Sequence, residues 1–262
     1  MKINKAAIAV SLAVALSTSL VHAESQLQDM SDPMAVYTQA GIGYTDKGLN
    51  LKIGQSYDTG NPNTMGMNVL EIKGFAGDEL GWSNRDSDDS IDSLRYRNFN
   101  VDMENGRGAQ VDVDVNFTDI GTQGTASYSL IQALPQMGPL NLYPLAGLGA
   151  AFGESFDTTN DGALQAQDRW DLHGIFYLAG MYGKLEITDN IWLNYNPMYT
   201  GTLSGSDPFN HAGMEGDDSV LIHEAAVSYQ INERTNIRYF ANWTENINYA
   251  NGDHRIEMNY QF

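Results

Sequence analysis

The sequence predicts an all-β fold: an antiparallel transmembrane β-barrel of about twelve strands, with ten or fourteen also compatible. Three observations predict it. Segments of alternating polar and apolar residues recur along the chain, and the connections between them tend to alternate between long, acidic stretches and short turns. The chain also ends inside such a segment, Arg255-Ile256-Glu257-Met258-Asn259-Tyr260-Gln261-Phe262, with nothing after the aromatic residue. A period of two puts Ile256, Met258, Tyr260 and Phe262 on one face and Arg255, Glu257, Asn259 and Gln261 on the other, so one face suits lipid and the other water. A strand that runs to its last residue must be tied into a sheet, since free termini fray.

The segments with strand patterning are Val36 to Tyr44, Leu49 to Tyr57, Met65 to Phe75, Ser90 to Phe99, Gln110 to Phe117 and Thr122 to Gln132. They continue with Leu140 to Phe152, Trp170 to Gly183, Ile191 to Leu203, Ser219 to Ile231, Asn236 to Thr244 and Arg255 to Phe262. The clearest are Val111, Val113, Val115 and Phe117 against Asp112, Asp114 and Asn116, and Ile237, Tyr239, Ala241 and Trp243 against Arg238, Asn242 and Thr244. Neither forms a helix face.

With the N-terminus in the periplasm, odd-numbered connections face outside. Three of them are long and acidic: Ala76 to Asp89 with Asp86, Asp88 and Asp89; Glu154 to Arg169 with Asp157, Asp161 and Asp168; and Gly205 to Asp218 with Asp207, Glu215, Asp217 and Asp218. Most even-numbered connections are short, among them Thr188 to Asn190 and Asn232 to Thr235. Long outer loops and short inner turns are the asymmetry of membrane barrels. Exceptions keep the strand count open: Thr45 to Gly48 and Thr118 to Gly121 are short odd connections, and Asn100 to Ala109 is a long even one. A soluble β-sandwich is the alternative; it needs neither the aromatic terminus nor so many outward Tyr and Trp.

At the N-terminus, Lys2 and Lys5 precede an apolar run from Ala6 to Leu20, and Val21-His22-Ala23 ends on a small residue before Glu24. This is the pattern of a secretory signal peptide. The expected organisation is a signal peptide over 1–23, a periplasmic segment over 24–34 and a barrel over 35–262. The last ten residues or so resemble the C-terminal signature of Gram-negative outer-membrane proteins. That resemblance implies an outer-membrane location among lipid and lipopolysaccharide. It also implies that the barrel-assembly machinery reads Tyr260 and Phe262.

Composition narrows the function classes. The formal net charge is −19, which argues against nucleic acid as a partner. There is no Cys, so disulfides and thiolate metal sites are excluded. Mean hydropathy is −0.35, compatible with a barrel because only alternate residues meet lipid. No cofactor is expected.

Charged residues on the strands fix which face is inward. Lys52, Glu71, Lys73, Arg95, Arg97, Asp112, Asp114, Glu224, Arg238, Arg255 and Glu257 are the candidate lumen side chains, because Lys or Arg facing lipid at the midplane costs about 2–4 kcal/mol. Two readings compete. In one, a basic strip on the second to fourth strands faces acids across a water-filled pore and sets ion selectivity. In the other, neighbours such as Arg95 with Asp112, or Arg238 with Glu224 and Glu257, pair across strands and rigidify a filled lumen. The seventh and eighth strands differ, with apolar residues on both faces and Gly147, Gly149, Gly174 and Gly180 among them. They fit contact with an inward-folded loop or another subunit better than a greasy wall for a hydrophobic ligand.

No enzyme is expected. Asp171 and His173, with Asp88 and Asp89 in another loop, supply the residue types of omptin proteases but not that family's motifs; His223 has no evident Ser partner for phospholipase chemistry. The acidic loops lack an EF-hand spacing, and His211 and His254 are too isolated for a zinc site, so no metal is assigned. Size and strand number resemble the twelve-stranded nucleoside and acidic-oligosaccharide channels, an architectural resemblance that carries no site residues. It implies a porin-like channel for passive diffusion of small polar solutes. The alternatives are a plugged surface barrel acting as a receptor through its loops and, behind it, a membrane-embedded hydrolase.

Overall fold

The computed structural model describes residues 27–45, 47–77, 91–118, 121–158 and 164–262, with the backbone alone over 156–158 and 164–168. The expected signal peptide, residues 24–26 and the loop acids Asp86, Asp88, Asp89 and Asp161 lie outside the described residues, as do the side chains of Asp157 and Asp168.

The strands are β1 (Gln39–Thr45), β2 (Gly48–Asp58), β3 (Thr64–Phe75), β4 (Ser93–Asp102), β5 (Arg107–Thr118), β6 (Gly121–Gln132) and β7 (Leu140–Thr158). They continue as β8 (Leu164–Thr188), β9 (Ile191–Tyr195), β10 (Met198–Gly205), β11 (Ser219–Asn232), β12 (Thr235–Thr244) and β13 (Asp253–Gln261). Each pairs antiparallel with its neighbour, and β1 pairs with β13 from Gln39 opposite Gln261 to Tyr44 opposite Ile256, which closes the sheet. Both β9 and β10 lie between β8 and β11, so they are two halves of one stave. The fold is a closed antiparallel barrel of twelve staves.

The expected strand Ile191 to Leu203 breaks at Asn196-Pro197 because proline has no N–H to give the ladder. Its carbonyl still accepts from Met181 N at 3.1 Å, which holds the break within the wall. Two expected connections are also corrected. Asn100 to Ala109 shrinks to residues 103–106: Asp102 Oδ1 accepts Glu104 N at 3.0 Å, and Gly106 takes φ +64°, a left-handed value that closes a tight turn. The long acidic loop over Glu154 to Arg169 is largely a continuation of β7 and β8, which run on as a hairpin past bulges at Ala151/Phe152 and Glu154/Phe156.

Connections 59–63, 103–106, 133–139, 189–190 and 233–234 share one end with residues 27–38 and Phe262, here called the terminal end; the remaining connections lie at the other, the loop end. Outward positions carry Ile42, Leu130, Leu148, Leu172, Val227, Ile237, Ile256 and Met258, all exposed. Inward positions bury Asn236, Gln261, Glu257 and Arg255. An apolar exterior around a charged interior inverts a water-soluble protein and is what lipid outside and water inside select. Phe262 finishes the seam, its N–H donating to Thr38 O at 3.0 Å and its ring meeting Tyr260 edge-on at 5.1 Å.

The expected first strand begins three residues late, at Gln39, because the chain before it turns into the barrel. Residues 27–38 lie within the mouth at the terminal end. Met34 and Val36 pack with the inward side chains of Met67, Val69, Val101 and Tyr143. Polar tethers fix the segment: Asp29 Oδ2 pairs with Lys184 Nζ at 3.1 Å, Tyr143 donates to Asp32 Oδ1 at 3.0 Å, and Gln261 Nε2 donates to Gln28 O at 3.0 Å. Burial pushes the Asp29 carboxyl up, but hydrogen bonds from Ser31 and the charge of Lys184 outweigh it and hold the group below its usual range.

Candidate solute pathway

The lumen is built from alternate positions of every strand. On β3 these are Met67, Val69, Glu71 and Lys73; on β4 Arg95, Arg97 and Phe99; on β5 Asp112 and Asp114; on β12 Arg238, Phe240 and Asn242. All the candidate residues except Asp112 border one internal cavity of about 550 Å³. Asp112 lies beside it, engaged by Arg95 Nε at 2.9 Å and Nη2 at 2.5 Å in a bidentate pair.

Register explains the other pairs. Glu71 stands opposite Arg95 on β4 and takes its hydrogen bond from the next inward residue, Arg97, while Lys73 Nζ lies 4.0 Å from its second oxygen. Lys52 on β2 and Glu257 on β13 are separated by the whole of β1, yet Nζ and Oε1 are 2.5 Å apart. The inward positions of β1 between them are Gly41 and Gly43, which makes this possible. A Cβ at Gly41 would lie 2.5 Å from Asn259 Oδ1 and 3.2 Å from Lys52 Cε, and one at Gly43 would lie 3.2 Å from Arg255 Cδ. Arg255 Nε approaches Glu257 Oε2 at 3.3 Å without hydrogen-bond alignment.

Among the described residues, Arg238 has no carboxylate within ion-pair distance. Its Nε donates to Ser228 Oγ at 2.9 Å and Nη2 to Asn194 Oδ1 at 2.8 Å. Its guanidinium and that of Arg255 sit 4.6 and 4.3 Å from the Phe240 ring centroid, so one aromatic residue carries two lumen arginines. Glu224 accepts from Asn196 Nδ2 at 2.7 Å at the break between β9 and β10. Asp114 Oδ1, Arg97 Nε and Asn196 Oδ1 are buried without a hydrogen-bond partner among the described residues.

The ends of the cavity are furnished differently. Met30, Asp32, Pro33 and Tyr37 of the N-terminal segment form its floor at the terminal end. At the loop end, the short helix α1 (Asp207–Ala212) folds inward and buries Phe209. Phe209 joins Leu145, Phe176 and Leu178 of β7 and β8, so the weakly alternating wall of those strands receives an inward-folded loop. Gly174 and Gly205 leave room for its ring, which a Cβ at either would meet at 2.2 and 2.8 Å. Ser206 caps the helix, accepting from Phe209 N at 3.4 Å.

Among the described residues, those weighed for catalysis do not converge. Asp171 accepts from Ser155 Oγ at 2.5 Å and from Arg169, while His173 bonds Gln123 Oε1 at 2.8 Å. His223 lies on the outer face, bonded to Tyr195 at 2.8 Å and stacked on Trp243 at 5.0 Å, and His254 bonds Tyr239 at 2.8 Å. Among the described residues, no three His, Asp or Glu side chains gather as metal ligands. Sequence reasoning missed Gly41, Gly43, Asn194, Asn196, Phe240 and the inserted residues 27–38. Of these, the Asn196-Pro197 pair carried a readable signal, a proline inside an expected strand.

No family model and no curated protein matches this chain. Solved structures similar to it include the NanC porin, at 8% identity and a TM-score of 0.44 over 87% of this chain and 99% of that one. A KdgM porin in complex with disordered oligogalacturonate has 8% identity and a TM-score of 0.43 over 87% and 99%. The COG4313 outer membrane channel from Pseudomonas putida F1 has 10% identity and a TM-score of 0.49 over 90% and 98%. Identities this low and TM-scores below 0.5 transfer no solute, residue or role to this chain.

Proposed function

We propose that this chain is a porin-like channel of a Gram-negative outer membrane, passing small polar solutes by passive diffusion. The observation that carries the reading is the charged cavity of about 550 Å³ enclosed by a wall whose outer face is apolar. A solute moving through such a lumen exchanges water for Lys, Arg, Glu and Asn side chains held in place by cross-strand pairing, so selectivity follows width and wall charge. Lys52, Glu71, Lys73, Arg95, Arg97, Asp112, Asp114, Glu224, Arg238, Arg255 and Glu257 are the proposed pore-lining set, and residues 27–38 act as an internal gate at the terminal end. Tyr260 and Phe262 are the proposed assembly signal; deleting Phe262 removes its bond to Thr38 and is expected to lower the amount of heat-modifiable barrel in the membrane.

Planar-bilayer recording on folded, purified protein tests the channel. Discrete conductance steps are expected; a folded barrel that never conducts, even without residues 27–36, overturns it. The filling of both ends, by the N-terminal segment and by Phe209, favours a second reading: a plugged surface barrel that acts through its loops as a receptor. That reading takes over if the gate-deleted barrel is silent.

A further inference from the structure

On β11, β12 and β13 the lumen charges are sorted by height rather than paired off. Register sets Glu224 opposite Asn242 and Asn242 opposite Asp253, a row of oxygen-bearing side chains. One inward step closer to the terminal end, Phe240 stands opposite Arg255, and Arg238 follows at the next step. All six border the cavity. Because β13 starts at Asp253, a solute entering from the loop end meets the acid row first and the arginines behind it.

Both rows are short of partners. Arg255 is nine-tenths buried, yet its guanidinium makes no hydrogen bond among the described residues. Glu257, 3.3 Å from its Nε, is out of alignment and already takes Lys52 Nζ at 2.5 Å. Stacking at 4.3 Å from the Phe240 centroid keeps the N–H groups in the guanidinium plane, the fork that a carboxylate fits, and Arg238 on the same ring adds a second positive charge. In the acid row, Asp253 Oδ1 is buried without a hydrogen-bond partner, with Lys47 Nζ at 3.5 Å. Glu224 Oε1 takes Asn196 Nδ2, and Asn196 Oδ1 is itself unpartnered. One row lacks acceptors and the other lacks donors.

We infer that the two rows form a site for a small zwitterion, an amino acid held with its carboxylate on Arg255 and its ammonium group on the acid row. One inward step along a strand is two residues, about 6.6 Å. In an α-amino acid the ammonium nitrogen and the carboxylate oxygens lie about 3 Å apart, and a hydrogen bond of about 2.8 Å at each end extends its reach to about 8 Å. Such a solute bridges the rows. A simple anion satisfies Arg255 alone and a simple cation the acids alone, each leaving buried polar atoms of the other row unpartnered. The inference rests on the channel reading, in which the site is a station along the pathway.

L-Alanine, propionate and ethylammonium share one skeleton and separate its two ends. Saturation-transfer NMR titrations on folded, heat-modifiable barrel near neutral pH read their binding whether or not the barrel conducts. Alanine is expected to bind about tenfold more tightly than either of the others, the scale of one charge-assisted hydrogen bond. Arg255→Gln is expected to reduce alanine to the level of ethylammonium, and Glu224→Gln with Asp253→Asn to the level of propionate. Should Arg255→Gln not fold, Arg255→Lys, which keeps the charge but loses the planar fork, is expected to weaken alanine by a smaller factor. Propionate or ethylammonium binding as tightly as alanine overturns the inference, as does alanine that fails to bind or binds the variants unchanged. Planar-bilayer recording separates the two claims: conduction without alanine binding removes the site and keeps the channel, while alanine binding to a silent barrel keeps the site and removes the channel.

Discussion

Met34→Ala examines the gate where its hold is most apolar. The Met34 side chain is buried against Met67, Val69, Val101 and Tyr143 on the lumen wall, and it belongs to a segment that these contacts and several polar tethers help keep inside. Truncating a buried Met to Ala costs about 2–5 kcal/mol in a closed core. The lower end applies here, since the docked segment that carries Met34 can shift to close part of the space left behind. Ordering a residue's backbone costs about 1–2 kcal/mol, so a twelve-residue segment is held by a small margin between large opposing terms. A loss of about 2–3 kcal/mol multiplies the ratio of undocked to docked segment by roughly 30–150. In single-channel records the variant is expected to spend a correspondingly larger fraction of time in its highest conductance level, with that level itself unchanged. Deleting residues 27–36 is expected to hold the barrel in that level. If neither change alters the conductance distribution of folded protein, the segment does not gate the lumen and this argument fails.

Acid is expected to loosen the same gate. The Asp29 carboxyl is held below the ordinary aspartate range, so its contribution is full above about pH 4 and is lost as pH falls through the lowered value; open time is expected to be flat from pH 5 to 8 and to rise below pH 4. A rise centred near pH 6 would point to histidine instead. Replacing Arg95 and Arg97 together by Gln leaves Asp112 and Glu71 without their main partners and is expected to shift reversal potentials toward cation preference, whereas unchanged selectivity would confine both arginines to a structural network. Val113→Arg turns a charge into lipid at about 2–4 kcal/mol and is expected to fold poorly in vesicles, while Asp112→Asn on the other face folds normally; equal yields would refute the assignment of faces on β5.

Periodicity made the wall legible. Once Val111, Val113 and Val115 face lipid, Asp112 and Asp114 have only the lumen left to enter, and the same logic orders β12 and β13. Lengths were legible less well, for physical reasons. A hairpin that leaves the membrane loses the lipid that forces its alternation, so the continuation of β7 and β8 past the bulge at Phe152 reads as an acidic loop. The inserted segment was not legible at all. Met30, Met34 and Val36 are too few and too irregularly spaced to signal a strand or helix, and what covers them lies far along the chain: β3, β4 and β7 for Met34 and Val36, Gln230 and Asn236 of β11 and β12 for Met30. The lumen pairs fall between these cases. Arg95 with Asp112 follows from adjacent strands, but Lys52 with Glu257 depends on β1 having no side chain between them, a role for Gly41 and Gly43 that only the closed barrel displays.

The strongly acidic balance of the chain is not the balance of its pathway. Against a net charge of −19, the lumen set holds Lys52, Lys73, Arg95, Arg97, Arg238 and Arg255 facing Glu71, Asp112, Asp114, Glu224 and Glu257, one more cation than acid. The surplus of acids therefore lies outside the lumen set, where water screens it over about 10 Å at 0.1 M salt. Inside, a charge without a partner is far more costly, and near-neutrality with cross-strand pairing is what lets a twelve-stave barrel keep so many ionised groups within its wall. Two charges are therefore enough to alter selectivity. Asp32 and Asp253 also border the cavity, so the lumen as a whole stands one charge to the acidic side, and removing Arg95 and Arg97 deepens that to three, whereas the same loss among the exposed acids outside it would leave its balance unchanged.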